Sequence, residues 1–382
     1  MKQLLTFFLT LLFFHFALYA QVDKSDWKAG VPEGCTTITV GKDASADGSV
    51  MTSHTDDSHR TRSWMDIQPA QDHGKGATVK MYKRTATDEH AMPAYKHTEI
   101  GEIPQVGHTY QYINTAYPCM NEKQLAIGES TFGGRDTLQS DKGLIDCQRL
   151  VKLMLQRETT ARGAIEMAGN LLAKYGWNDA GEALTIADTR EVWHFEVVGP
   201  GKGKVGAVWA AQRVPDDHIA VNGNASTIKE IDLDNPDFFM ASDNIYKVAE
   251  DFGWWDKNSQ APFRFNHVYA PQSRTSLAAR RREWRVFDLL APSLDIDPYD
   301  KDYPFSVKPD EKVSVADMIA VFQDYYEGTE FDMTKNITTT NEEGKTVVSP
   351  HANPFMPYDE YDLYNINGGW GDLGERTIAR WY

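Results

Sequence analysis

A cysteine at the head of a β-branched run is the residue in this sequence with the clearest chemical use. Cys35 directly precedes Thr36-Thr37-Ile38-Thr39-Val40. If the Gly34–Cys35 bond is cleaved, Cys35 carries a thiol and a free α-amine on one residue. That amine has an ordinary pKa of about 7.7–8.0, close enough to neutrality to act as base toward a thiol of about 8.5. One residue then supplies nucleophile and base, and no histidine partner is required. The same residue types also fit a small buried cysteine inside a strand, a reading with no chemistry in it.

Other constellations carry less. His54, Asp56, Asp57 and His59 offer imidazole and carboxylate ligands, but no HExxH or CxxC framework accompanies them, so they also read as a solvated polar turn. Gly199-Pro200-Gly201-Lys202-Gly203-Lys204 lacks the Ser/Thr of a phosphate loop and falls between two expected strands, as a hairpin connection does. Trp254-Trp255 and Trp370-Gly371 fit core or pocket walls better than a sugar platform. The three cysteines, Cys35, Cys119 and Cys147, are an odd set. In an exported protein that leaves at least one thiol unpaired or paired between chains, and a Cys119–Cys147 bridge would make Cys35 the free one.

The elements that must position Cys35 follow from periodicity. Strands are expected at 36–40 and 49–55, with Asp47-Gly48 as a turn signal between them. Further strands are expected at 109–114, 124–129, 183–187, 192–198 and 205–214, with Asp188-Thr189-Arg190 a tight connection. Helical spacing runs over 146–157, then from a Thr160 cap to near Gly176, over 276–290 and over 314–325. Strands flanking a helical pair, with hairpin connections, predict an α+β layered fold with antiparallel sheets. Residues 295–303 and 338–354 read as long surface loops, and 377–382 as the opening of a strand.

Bulk properties bound the partners. The 382 residues are 41% hydrophobic and 12% aromatic, enough for a large core. A formal net charge of −16 argues against nucleic acid, which needs a basic surface, and the run Arg280-Arg281-Arg282 is too short to reverse that. Residues 1–20 read as a secretory signal peptide. Lys2 forms the n-region, Leu4 to Phe14 the apolar core, and Ala17-Leu18-Tyr19-Ala20 an imperfect cleavage site. A retained amino-terminal anchor is the alternative. No other segment approaches a membrane span.

Extended motifs then converge. Gly34-Cys35-Thr36-Thr37, Val40-Gly41-Lys42-Asp43-Ala44-Ser45, Asp47-Gly48-Ser49 and His54-Thr55-Asp56-Asp57 resemble the opening of the cysteine dipeptidases among the amino-terminal-nucleophile (Ntn) hydrolases. That family is related to the penicillin V acylases and bile salt hydrolases. The resemblance continues in order through residues 120–131, 186–188, 191–193, 211–217 and 220–221, and at Arg282-Glu283-Trp284-Arg285. It implies an αββα four-layer sandwich with two stacked antiparallel sheets. It also implies a short propeptide over 21–34 and a catalytic domain over 35–382.

Residue by residue, the resemblance makes Cys35 the nucleophile and Asp57 the aspartate that holds amine and nucleophile in place. Asn224 becomes the oxyanion asparagine, with Asn222 as its rival, and Arg282 an arginine supporting the nucleophile. His54 stands where many relatives have arginine, which suggests a substrate-facing group that titrates near neutrality. Thr131 replaces the oxyanion asparagine of the acylase branch. The implied activity is hydrolysis of dipeptides with a free amino terminus through a thioester, without metal or organic cofactor. An acylase of non-peptide amides and an inactive exported binding protein on the same fold are the alternatives.

Overall fold

The computed structural model describes residues 34–57, 64–86, 95–332, 338–340 and 343–348. The expected signal peptide, His59, Trp370 and the 377–382 run lie outside those residues. In chain order the strands begin with β1 (Gly34–Val40), β2 (Met51–Thr52), β3 (Thr55–Asp57), β4 (Asp66–Gln68), β5 (Gln71–Asp72), β6 (Thr78–Ala86) and β7 (Tyr95–Pro104). There follow β8 (His108–Thr109), β9 (Tyr112–Asn114), β10 (Met120–Asn121), β11 (Ala126–Gly133), β12 (Gly181–Ala187) and β13 (Val192–Val198). Last come β14 (Val208–Arg213), β15 (Ile219–Asn222), β16 (Phe239–Ala241), β17 (Thr338–Thr340) and β18 (Thr346–Val348). The α-helices are α1 (Cys147–Arg157), α2 (Ala161–Tyr175), α3 (Ile245–Asp251), α4 (Phe265–Tyr269), α5 (Leu277–Leu290) and α6 (Val315–Phe322).

The chain folds as α+β with antiparallel sheets. One sheet has four strands in the order β15-β1-β2, with β3 also pairing β1, and another has eight in the order β16-β14-β13-β12-β11-β10-β9-β4. The ladders between these strands run antiparallel.

Strand β1 carries the logic of the site, because side chains alternate across a strand. Ile38 and Val40 pack with Trp284 and Phe287 of α5, and Thr36 takes a hydrogen bond from Arg282 on the same helix. The intervening residues look at the larger sheet. Thr39 Oγ1 lies 3.1 Å from His194 Nε2 of β13, and Cys35 Sγ donates to Glu129 Oε2 of β11 at 3.5 Å. The sheets approach closely at Gly128, where a Cβ would lie 2.7 Å from Thr185 Oγ1 and 2.8 Å from the Ser53 carbonyl. Any larger residue there would push β11 off β1.

The four long helices begin where their caps require. Asp146, Thr160, Ser276 and Ser314 each accept a first-turn N–H, and Ser314 with Asp317 completes a capping box. Helices α1 and α2 bury Leu150, Met154, Ile165 and Leu172 in one core with Leu184, Ile186, Trp193 and Phe195 of the eight-stranded sheet.

Several expectations need correction. The single strand expected over 49–55 is two, β2 and β3. Between them the Ser53 hydroxyl replaces a ladder partner, accepting from Ile38 N at 2.9 Å and donating to Ile38 O at 3.0 Å. The expected strand at 205–214 starts only at Val208, since Gly203 (φ +76) and Gly206 (φ +126) still belong to the turn. Helix α6 stops at Phe322, three residues before the expected end at Tyr325. Asp324 is drawn away to chelate Arg285 at 2.7 and 2.8 Å. The expected loop over 338–354 contains the hairpin β17–β18, with Thr338–Thr340 and Thr346–Val348 paired around Gly344 (φ +77). The loop over 295–303 and the hairpin connection over 199–204 are as expected.

The long hairpin β6–β7 has no counterpart among the expected strands. Inward Val79, Met81 and Arg84 alternate with outward Lys80, Lys83 and Thr85, but a bulge between Met81 and Tyr82 shifts the phase midway. Helices α3 and α4 are too short to show a helical period, and the sequence pattern does not reveal them for that reason.

Candidate active site

Cys35 is the second residue of β1 and is 8% exposed. Its backbone nitrogen donates to Asn224 Oδ1 at 2.9 Å. Its carbonyl accepts from Arg282 Nη1 at 2.8 Å and from Ser130 Oγ at 3.4 Å. The nitrogen, the carbonyl and the thiol of this residue are thus each held by a group distant in sequence.

Arg282 is the anchor behind the strand. The guanidinium, 1% exposed, also donates to Thr36 Oγ1 at 2.9 Å, Gly223 O at 2.5 Å, Asn224 Oδ1 at 2.9 Å and, through Nε, Ala278 O at 3.1 Å. A planar fork is needed to span two strands in this way, which an ammonium cannot do. Its neighbours Arg280 and Arg281 are buried too. Arg280 donates to Tyr299 O, and Arg281 lies over the Phe331 ring, so the basic run is interior structure and offers no surface to nucleic acid.

Asn224 sits at the turn after β15 in the left-handed region, φ +66, which asparagine tolerates better than most residues. Its backbone N–H donates to Ser130 Oγ at 2.9 Å and its Nδ2 to Thr131 O at 2.7 Å. An amide nitrogen carries two protons, so Nδ2 has a second N–H beyond the one that Thr131 O takes. The rival Asn222 is fully buried and spends its amide on the Ala225 backbone at 2.5 and 3.4 Å, closing the turn. It is a turn residue.

On the other side of Cys35 lies a group that the motifs do not single out. Glu129, 1% exposed, accepts the Cys35 thiol on Oε2 at 3.5 Å. His54 Nε2 faces the same oxygen at 3.4 Å without good hydrogen-bond geometry, and its ring meets Tyr117 edge-on. Thr131 Oγ1 lies 3.0 Å from Glu129 Oε1 and 2.9 Å from Glu182 Oε1. A hydroxyl has one proton to give, so a carboxyl proton must also sit in this group. Burial pushes both acids toward the neutral form. The close approach of His54, with hydrogen bonds from Glu182 and Thr131, outweighs it at Glu129, which is held below the ordinary carboxylate range. Burial, with repulsion from Glu129 and Asp179, drives Glu182 well above it. The two carboxyls therefore share one proton, and these opposite shifts favour Glu182 as its holder.

Of the residues picked out from sequence, Cys35, Asn224, Arg282 and His54 converge within this constellation. The backbone of Asp57 lies opposite Gly34 in the β1–β3 ladder, and its side chain is outside the described residues. The proposed ligand cluster of His54, Asp56, Asp57 and His59 does not form in the described part: Asp56 is an exposed strand residue opposite Cys35, while His54 turns inward. Among the described residues two other donor sets lie within 4.8 Å, Cys35 with His54 and Glu129, and Glu129 with Cys147 and Glu182. The Cys119–Cys147 bridge is not made. Cys147 is buried behind Glu129 and Glu182, Cys119 donates toward Ile113 O, and no disulfide joins any of the three cysteines. Trp254 stacks on Phe252 at 4.5 Å and belongs to a core, as expected.

Only one signal in the sequence pointed at Glu129. A charged residue in the strand run Ala126-Ile127-Gly128-Glu129-Ser130-Thr131 is out of place unless paired.

Comparison with known proteins places the chain in a family. The chain is 29% identical over 333 residues to a probable dipeptidase of Latilactobacillus sakei, covering 82% of this chain and 64% of that protein. It is 28% identical over 313 residues to a probable dipeptidase B of Lactococcus lactis subsp. lactis, covering 78% and 62%. Dipeptidase A of Lactobacillus helveticus is 23% identical over 306 residues, with coverage of 78% and 62%. The chain thus spans just under two thirds of the length of these relatives. Residues 34–350 match the sequence profile of peptidase family C69, from one residue before Cys35 through the whole of the described structure, and the chain belongs to that family.

Proposed function

We propose that the protein is an exported dipeptidase whose mature chain begins at Cys35. In this reading residues 1–20 are a signal peptide and 21–34 a propeptide. Residues 35–382 form an αββα Ntn-hydrolase domain. The layering is supported by β1 crossing β11 at Gly128, with α1 and α2 packed on the eight-stranded sheet and α5 on the four-stranded one. The activity is supported by the dipeptidase relatives.

The observation that carries the mechanism is the hold on the Cys35 backbone. Asn224 Oδ1 binds its nitrogen at 2.9 Å and Arg282 its carbonyl at 2.8 Å. A side-chain acceptor trained on the nitrogen of a nucleophile has a purpose once that nitrogen is an amine. The amine takes the thiol proton, and the thiolate adds to the scissile carbonyl. An oxyanion forms where the second Nδ2–H of Asn224 can meet it. The amine returns the proton to the departing amino group, and water hydrolyses the thioester. Asp57, opposite the cleavage point, is assigned to hold the new ammonium.

Asn224→Ala is expected to lower kcat by about 10²–10³-fold, the usual loss for one oxyanion donor, in a folded protein. Steady-state kinetics with a dipeptide checks this, and near-normal turnover would remove Asn224 from the mechanism. The function is tested by sequencing the amino terminus of the active enzyme and comparing dipeptides with penicillin V and glycine-conjugated bile salts. A Cys35 terminus with turnover of dipeptides alone is expected. An active enzyme still beginning at Gln21 would refute the mechanism.

A further inference from the structure

We propose that Glu129 forms the subsite for the free α-ammonium group of the substrate and thereby selects unblocked peptides over acylated ones. The proposal rests on the reading of Cys35 as nucleophile toward peptide amides. Geometry places the two charges together. In a peptide cleaved after its first residue, the α-nitrogen lies about 2.5 Å from the carbonyl carbon under attack, two bonds away. The attacking sulfur approaches that carbon at about 3–3.5 Å. The ammonium therefore has to settle within about 6 Å of Cys35 Sγ, and a charge-assisted hydrogen bond of about 2.8 Å must end on an acceptor close to the sulfur. Glu129 Oε2 is 3.5 Å from it.

The charge is also right. Glu129 and Glu182 carry one negative charge between them beside a nucleophile that must itself become negative. When the thiol proton leaves, the S–H···Oε2 bond is broken and a thiolate faces a carboxylate across 3.5 Å, a repulsive arrangement in a buried place. Arg282 cannot relieve it, because its guanidinium lies on the opposite face of β1, bound to Cys35 O and Thr36 Oγ1. An ammonium arriving with the substrate takes up the acceptor site that the thiol has vacated and neutralises the pair. The Cys35 ammonium that has received the proton balances the thiolate, so a peptide with a free amino terminus brings the cation that pairs with Glu129, and an N-acylated peptide does not. The remaining partners of Glu129, Thr131 on Oε1 and His54 on Oε2, hold the carboxylate in place for this role. No bond to the ammonium changes in the reaction. The thiol proton goes to the Cys35 amine, the sulfur–carbon bond forms, and the substrate ammonium keeps its protons.

The test compares kcat/KM for a dipeptide and its N-acetyl form in the mature wild-type enzyme, Glu129→Gln and Glu129→Asp. Glutamine keeps the shape and a hydrogen-bonding oxygen but removes the charge. The wild type should favour the free dipeptide by about 100-fold, the value of one hydrogen bond to a charged group. In Glu129→Gln the free dipeptide should lose about 100-fold more than the acetylated one, and Glu129→Asp should keep most of the preference. A general effect on the nucleophile or the fold would lower both substrates together and leave the ratio unchanged, which overturns the subsite but not the peptidase. Equal use of both substrates by the wild type does the same. A wild type that cleaves neither overturns the subsite and the peptidase reading together.

Discussion

Replacing Cys35 with Ala is expected to lower dipeptide turnover by about 10⁶-fold, the scale seen when a hydrolase loses its nucleophile. The fold should survive, since Cys35 is a small residue and alanine fits the same space. Alanine gives up only a weak S–H hydrogen bond to Glu129. The measurement is steady-state kinetics beside circular dichroism, with intact mass to establish which bond has been cleaved. Cys35→Ser separates the two uses of the residue. Serine keeps the amine and a proton to donate but attacks far less readily, so a mature terminus with strongly reduced turnover is expected. Turnover that persists in Cys35→Ala would exclude the acyl-enzyme altogether.

The second large effect belongs to Arg282. Its guanidinium bridges Cys35 O and Thr36 Oγ1 of β1 to Gly223 O and Asn224 Oδ1 at the end of β15. Arg282→Met leaves these buried acceptors short of donors, and breaking a buried charged network of this kind costs about 3–5 kcal/mol. In a chain of this size the melting temperature should fall by roughly 5 °C. Because the same bonds fix Cys35 and Asn224 relative to one another, turnover should fall at temperatures where the variant is still folded. Arg282→Lys keeps the charge but one ammonium cannot reach both strands, so it should restore little. Thermal melts and kinetics on the two variants check this. A stable, fully active Arg282→Met protein would show that the network is incidental to both.

Much of this could be read from residue types and spacing. Local rules fixed the long helices, because Asp146, Thr160, Ser276 and Ser314 are caps whose meaning does not depend on the rest of the chain. The β-branched run after Cys35 and the turn at Asp47-Gly48 are local in the same sense. Where a distant partner overrides the local signal, sequence pattern misleads. Asp324 ends α6 early to bind Arg285, and Ser53 splits a strand by substituting its hydroxyl for a backbone group. The bulge at Met81 hides the alternation of β6.

The site divides along the same line. The sequence by itself determined the chemistry available at Cys35, the antiparallel α+β class and, through ordered motifs, the family; Asn224 and Arg282 came with that resemblance. Only the tertiary structure decided what surrounds the sulfur. It brought Glu129, 94 residues away, against the thiol and turned His54 toward the same carboxylate. It spent Asn222 on a turn and left Cys119 and Cys147 unbridged. The physical reason is that nucleophilicity is a property of residue type, carried wherever the residue goes. Protonation, charge pairing and selectivity are set by neighbours within a few ångströms, and here those neighbours come from strands that meet only when one sheet is laid on another.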